Sequence, residues 1–435
     1  MSRCSTAVMW LDMPPELERW FEEAVPIYNS ALYILRQEFF NARDEDGKPK
    51  YMARTELRDI LLHSEPWGAS EMDTDVKSLL VFDVARNWKS WQKARRAYWD
   101  AVKAHEKNPE NKDVFKFPGE PKMPYYMKNG RVPVITVDHN RFGGKDYRNN
   151  TIRLPKSGVT IHLPKHVAIG DVRELILKRE YGKLKVLVVH GKVDDEPEIK
   201  EPPGSSCIGI DLGVNNLVAI TASNQPLSWI AKGGYLKSYN AHFNRVCARM
   251  YTEHMRQKGE LGSKRLQRLA LKRYNVIKNE FHCLSKAIVR LCLENGIGAI
   301  VIGHNDGWKQ KVNLKKNTYH FVAIPFNVLI DMIRYKAERV GIKVVIVEES
   351  YTSKSDHLAL EPMRRLSKRL GKRKHRGMFK SSTGRELNAD NNGAIGMMRK
   401  ANVISDGELI ALRDRCDIVS PGVLKYTPRN VRKIA

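Results

Sequence analysis

The run Ile208-Gly209-Ile210-Asp211-Leu212-Gly213-Val214-Asn215-Asn216-Leu217-Val218-Ala219-Ile220 sets a single acid in an otherwise apolar strand–turn–strand pattern. Val, Ile and Leu fill its flanks, and Gly209 and Gly213 let other backbone come close. An ionised Asp amid so much apolar sequence is costly unless it is paired or bound to a cation. Asp211 is therefore either a cation ligand or a buried structural charge.

Charge narrows the partner. The chain has 435 residues, enough for two or three domains with sizeable cores. Its 75 Lys+Arg against 49 Asp+Glu give a net charge of +26 and a pI near 9.7. Such a charge opposes compaction and attracts polyanions. Nucleic acid is the default partner, because each neutralised phosphate releases condensed counterions. No membrane partner is expected: no apolar run approaches the roughly 18 residues of a spanning helix, and no basic, apolar, small-residue leader opens the chain. The six cysteines are far apart with no CxxC pair, the pattern of reduced thiols in a cytoplasmic protein.

Four regions follow. Ala7 to Leu11 suggests one strand, and Glu16 to Phe39 and Val76 to His105 repeat apolar residues at helical spacing. In the second helix Trp88, Trp91, Arg95 and Tyr98 recur at three- and four-residue steps among basic residues. That face is either a helix packed on a core by its tryptophans or a stacking and phosphate-gripping face. From Phe115 to Val193 short runs at Val132–Val137, Thr151–Leu154, Val159–Leu163 and Leu184–Val189 predict a small barrel or sheet. The acidic, Pro-rich stretch Asp194 to Ser206 predicts a linker. Beyond it, a long basic helical stretch from Tyr239 to Asn295 carries Arg249, Arg256 and Arg265. Strand Ile297–Ile302, helix Val322–Val340 and strand Ile342–Val347 then imply a helix-covered α/β sheet.

Three sites here put an acid at a strand end or a helix start: Asp211, the pair Glu348 and Glu349 after the strand IKVVIV, and Asp390 in NADNNGA. Alternation places Glu349 with Val345 and Val347, and Glu348 opposite with Ile346. Acids converging from separate elements hold two Mg²⁺ ions about 3.5–4 Å apart in sites of in-line phosphodiester hydrolysis. Mg²⁺ prefers hard oxygen ligands, which favours carboxylates over Cys or His. The bland reading is a solvated strand end and an ordinary helix cap.

In order along the chain, GIDLGVNNLVAI, VIGHNDGWKQKVNL, VEESYTSKSDHLALEP and NADNNGAIGMMRKA resemble the nuclease half of the TnpB family. These are transposon-encoded, RNA-guided DNA endonucleases with compact type V CRISPR relatives. The likeness covers roughly residues 205–402, and the N-terminal half only in organisation. It implies an α/β RNase H-like (RuvC-type) nuclease at 207–353 and 386–435 after a linker at 194–206. It further implies a wedge-type β-barrel at 1–14 and 115–193, interrupted by a helical recognition lobe at 15–114. It also implies a guide RNA (transposon-end or CRISPR), a double-stranded DNA target with a short adjacent motif, and a cytoplasmic, nucleoid-associated setting of prokaryotic type. Asp211 and Asp390 match the first and third catalytic acids. The family usually carries its second acid after the strand corresponding to Ile300–Ile302, where this chain reads Gly303-His304-Asn305-Asp306. A subset resembles this chain in taking it from just before Tyr-Thr-Ser, which points to Glu349, with Asp306 and Glu348 in reserve.

Many relatives form a zinc finger between Tyr-Thr-Ser and the last Asp, but Lys354 to Leu387 contains no cysteine. His357 and His375 alone make a poor zinc site, and no structural zinc is expected. The segment 354–385 is instead a basic insert, with Arg369 and Arg373 expected to grip or load a DNA strand. Trp308 and Lys309 are candidates for related work. A nuclease-inactive guided DNA-binding protein, an actin-type ATPase and a DNA-joining transposase are the competing readings. The last two sit poorly with the missing second Gly-rich loop and with the order of the segments.

Overall fold

The computed structural model describes residues 4–41, 52–108, 117, 119–128, 130–191, 201–258, 263–304, 324–375 and 377–426. Trp308, Lys309 and Asp306 lie outside them. The chain forms two compact units, Met1–Glu198 and Ile199–Ala435.

In the first unit, strand β1 (Ser5–Leu11) precedes helices α1 (Pro15–Asn41), α2 (Arg54–Leu62), α3 (Glu65–Ala69) and α4 (Thr74–Lys107). Strands β2 (Ile135–Asp138), β3 (Gly144–Asp146), β4 (Thr151–Arg153), β5 (Thr160–His162), β6 (Val172–Glu180) and β7 (Lys183–His190) follow. Helix α1 buries Leu17, Phe21, Ala24, Ile27, Tyr28 and Leu32 along one stripe, the three-and-four spacing that turns an amphipathic helix onto a core. The sheet runs β1-β7-β6-β2, antiparallel throughout, and β3-β4-β5 make a smaller one. Strand β6 was not legible: Arg173, Glu174, Lys178 and Arg179 obscure the buried positions Val172, Leu175 and Leu177.

The aromatic face of α4 is corrected. Trp88 and Trp91 are only 3% and 7% exposed, 4.7 Å apart between ring centroids, and both meet Phe39 edge-on. The Trp91 indole donates to the Pro121 carbonyl at 2.9 Å. These rings fill the core, because burying so much apolar area gains more than leaving it in water. Arg95 stays partly exposed, over the Phe39 and Trp91 rings and bonded to Glu120. Tyr98 packs against Trp99 and Phe117.

The second unit is built on β8 (Ser206–Leu212), β9 (Asn216–Ala222), β10 (Ser228–Lys232), β11 (Ile297–Gly303) and β12 (Lys343–Val347). The expected single basic helix is two, α5 (Gly234–Lys258) and α6 (Lys264–Glu294), the second restarting where Ser263 caps it by accepting from the Leu266 amide. Helix α7 (Phe326–Glu338) precedes β12. Short strands β13 (Lys372–His375), β14 (Met378–Lys380) and β15 (Glu386–Asn388) form an antiparallel sheet leading into α8 (Ala389–Lys400) and α9 (Asp406–Ala411). A last strand, β16 (Gly422–Val423), completes the main order β12-β11-β8-β9-β10-β16. There β8, β11 and β12 are mutually parallel, while β8, β9 and β10 form an antiparallel meander.

Alternation decides the faces. Ile208, Ile210, Ile300 and Ile302 pack with α6 and α7 residues such as Phe281, Leu284, Leu329 and Ile333. The other face carries Cys207, which packs with Ile395 and Met398 of α8. A Cβ on Gly209 would strike the Ala394 carbonyl oxygen and lie 3.0 Å from Met398 Cγ, so α8 seats directly on the β8 backbone. No helix of the described residues is long and apolar enough to cross a membrane.

Gly209→Ala should therefore cost about 3 kcal/mol or more, since backbone cannot swing aside for the new methyl. Gly234→Ala, which meets nothing within 4 Å, should stay within about 0.5 kcal/mol of the parent. Urea melts of both variants measure the contrast.

Candidate active site

Period-two geometry puts Asp211 of β8 on the face covered by α8, the same face as Gly303 of β11. Val344 and Ile346 of β12 pack on the opposite core, which turns Val345, Val347 and then Glu349 toward α8. Tyr351, at φ 67°, reverses the chain immediately after. The Glu349 carbonyl is pinned there by the Thr352 amide and hydroxyl at 3.2 and 2.8 Å. Asp390 arrives from the first turn of α8. Its helix is capped by the Asn388 side chain, which accepts from the amides of Asp390 and Asn391.

Asp211 senses both of the other acids. The Asp211 carboxyl is pushed well above its ordinary range, first by burial and then by the carboxylates of Glu349 and Asp390; Arg373 and the Leu212 amide oppose the shift. Burial raises Glu349 to about 7, with Lys400 pulling the other way. Glu348 points elsewhere: it takes hydrogen bonds from Ser350 and from Lys400 Nζ, which lower its pKa, and its side chain is 63% exposed.

Two residues that the sequence did not flag complete the geometry. Asn216 Nδ2 donates to Asp390 Oδ2 at 2.7 Å, while its Oδ1 accepts from Lys232 Nζ at 3.4 Å. Asn391, fully buried, donates to the Ile220 carbonyl and the Thr221 hydroxyl, tying α8 to β9. The signal was the Asn-rich spelling of both motifs, but which amide meets which acid depends on a contact 174 residues apart.

Three half-buried carboxylates repelling one another are a donor set that a hard divalent cation stabilises. Among the described residues no three His, Cys, Asp or Glu side chains are gathered tightly enough to cage one ion.

The other expected contact residues separate. Arg249, Arg256 and Arg265 stand exposed on α5 and α6. Arg373, exposed on β13, lies within electrostatic reach of Asp211. Arg369 is corrected: it donates to the Ser355 hydroxyl and the Arg364 carbonyl, pairs with buried Glu361 at 3.7 Å, and its side chain is 20% exposed. A guanidinium held that way braces the insert, because a buried carboxylate needs a partner.

The insert is knotted by polar groups. Buried Asp356 accepts from the Ser381 hydroxyl and from the amide and hydroxyl of Ser382. Both ring nitrogens of His357 are engaged, Nε2 by the Thr352 carbonyl at 2.6 Å and Nδ1 by Arg399 at 3.1 Å. Burial lowers its pKa to about 4, so the ring is neutral.

Known proteins resemble this chain in both halves of the second unit. A family model described as a probable transposase (OrfB_IS605) matches residues 190–309, and a Cas12f1-like TNB domain matches 326–397. The TnpB-like protein ORF457 of Acidianus two-tailed virus is 24% identical over 284 residues, 63% of this chain. The chain spans 57% of that relative's length. A cryo-EM structure of a Cas12f1–sgRNA–target DNA complex shares the fold at a TM-score of 0.51 and 15% identity, covering 88% of this chain and 82% of that one.

Raised carboxyl pKa values make the cation-free protein lose stability as pH rises. The folded state holds a proton on Glu349 up to about pH 7, whereas the unfolded chain releases it near 4.5. The contribution is thus complete below about pH 4.5 and gone above about 7, a loss on the order of 2–3 kcal/mol. In EDTA, urea melts at pH 5 and 7.5 should show this slope in the parent and a shallower one in Glu349→Gln, where the raised Asp211 carboxyl still contributes.

Proposed function

This chain is a relative of the TnpB proteins and of the compact type V effectors, and on that premise we propose that it is an RNA-guided DNA endonuclease. The observation that carries the proposal is the convergence of Glu349 and Asp390 on Asp211 at one sheet face, each within electrostatic reach of it. The meander β8-β9-β10 extended by parallel β11 and β12, with the acids under α8, supports an RNase H-like (RuvC-type) nuclease. Pairing of β1 with β7 brings the chain's start back to the later strands. That pairing supports a wedge-type barrel, at 1–14 and 115–193, interrupted by the helical lobe at 15–114.

Asp211, Glu349 and Asp390 would hold two Mg²⁺ ions, which supply an activated water and stabilise the leaving oxygen. The chain's own groups do the rest. Asn216 fixes the Asp390 carboxylate through one oxygen and leaves the other for the site. Arg373 places a cation beside Asp211, where a phosphodiester of the cut strand would lie. The exposed Arg249, Arg256 and Arg265 offer a sequence-independent grip on a guide RNA–DNA heteroduplex, so that base pairing carries the specificity. Partly exposed Arg95 and Tyr98 are further candidates for backbone and base contact. The guide would come from a transposon end or a CRISPR array, and the DNA target would carry a short motif beside the paired sequence.

The test is to purify the protein from cells carrying its native flanking DNA, sequence the bound RNA, and offer the complex a plasmid library with randomised flanks. Mg²⁺-dependent cutting beside one motif is expected, reduced by at least about 1,000-fold in Asp211→Ala and in Asp390→Ala, the scale of losing a group that stabilises transition-state charge. Guided binding without cutting would make it a programmable DNA-binding protein. Absence of a bound RNA would overturn both readings.

A further inference from the structure

The place next to Glu349 is occupied by a residue with no side chain. Gly303 ends β11 and pairs in register with Val347 of β12, two residues before Glu349. The His304 amide donates to the Val347 carbonyl, so the two strand ends stay zipped at this point. Gly303 is not in the left-handed region that favours glycine, so its backbone would accept any residue. The space would not. A Cβ built on it falls 2.6 Å from Met397 Sδ and 2.7 Å from Glu349 Cγ, and against Met397 Cε as well. Met397 is 1% exposed and cannot swing into solvent. Thr352, itself 1% exposed, holds the Glu349 carbonyl by two hydrogen bonds, so the backbone stays and relief of the contact falls to the Glu349 side chain.

We propose that Gly303 is a positioning residue for Glu349. The volume that β11 leaves empty is where the neighbouring strand folds its carboxylate in front of the sheet. This rests on reading Glu349 as one of the three acids of the nuclease site. Because a Cβ at 303 lies 2.7 Å from Glu349 Cγ, a carboxyl carried by residue 303 would start beside the Glu349 side chain.

The experiment is a mutant cycle on the full-length protein, read three ways: melting temperature, Mn²⁺ binding by electron paramagnetic resonance, and guided cleavage. Gly303→Ala should displace Glu349, weakening Mn²⁺ binding about 10-fold or more and cleavage about 100-fold, the scale of a misplaced ligand. Glu349→Ala should do the same, and adding Gly303→Ala to it should cost less in melting temperature than Gly303→Ala costs the parent, since the Cγ contact is gone and only Met397 must yield. Adding Gly303→Asp or Gly303→Glu to Glu349→Ala should restore Mn²⁺ affinity to within about 10-fold of the parent for at least one of the two, with cleavage following. The proposal fails if Gly303→Ala leaves Mn²⁺ affinity unchanged. It also fails if neither added acid restores binding in a double variant that melts like the parent. A parent that never cuts, yet shows the same pattern of Mn²⁺ loss and recovery, would end the nuclease reading and leave the pairing of Gly303 with Glu349 standing.

Discussion

Like charges gather on one face of a sheet only where backbone packing forces them together, and here the force is the contact of α8 with β8. Side chains normally hold packed layers apart, about 10 Å where sheet stacks on sheet. At Gly209 that spacer is missing, and the Ala394 carbonyl comes down onto the strand. Gly393 does the same for the other side of the contact: a Cβ there would sit 2.8 Å from Asp211 Oδ2. Asp390, three residues earlier on the same helix, is thereby held beside Asp211, and Asn391 locks the helix to β9. The repulsion this creates adds to burial in raising the Asp211 carboxyl, whereas burial alone raises Glu349. It is tolerated because the packing of Ile395, Met398 and their neighbours outweighs it.

Positive charge is divided between two uses. Of a net +26, part is spent inside the fold. Arg399 of α8 donates to the carbonyls of Glu361 and Leu360, and Arg369 reaches Glu361 itself. Together with Asp356 and neutral His357 these groups make a short, loop-rich insert rigid with little apolar core of its own, since satisfied buried polar networks fix a single arrangement. What remains exposed, Arg373 on β13 and Arg249, Arg256 and Arg265 of α5 and α6, faces solvent. A bracing arginine and a gripping one have the same spelling in the chain; only the partner distinguishes them.

Local pattern made much of the frame legible. Alternation marked β8, β11 and β12 and turned Glu349, rather than Glu348, toward the face of Val345 and Val347, because the direction of a strand side chain is a property of the backbone itself. Helical spacing marked α1, α4 and α7, though α5 and α6 read as one helix until the Ser263 cap divided them. Charged residues on the exposed side hid β6. The aromatic face of α4 was ambiguous for a different reason: a stripe of tryptophans looks the same whether it meets a core or a base.

The sequence by itself determined the periods of its elements, the excess of positive charge and the three acids at element ends, all of which are written in short stretches of chain. Only the tertiary structure decided that Trp88 and Trp91 are core, that Arg369 braces the insert, that Asn216 reaches Asp390, and that Gly303 leaves room for Glu349. Each of these depends on which atoms lie within a few ångströms across long sequence separations. Such proximity is set by how helices and strands pack on one another, and no local pattern encodes it.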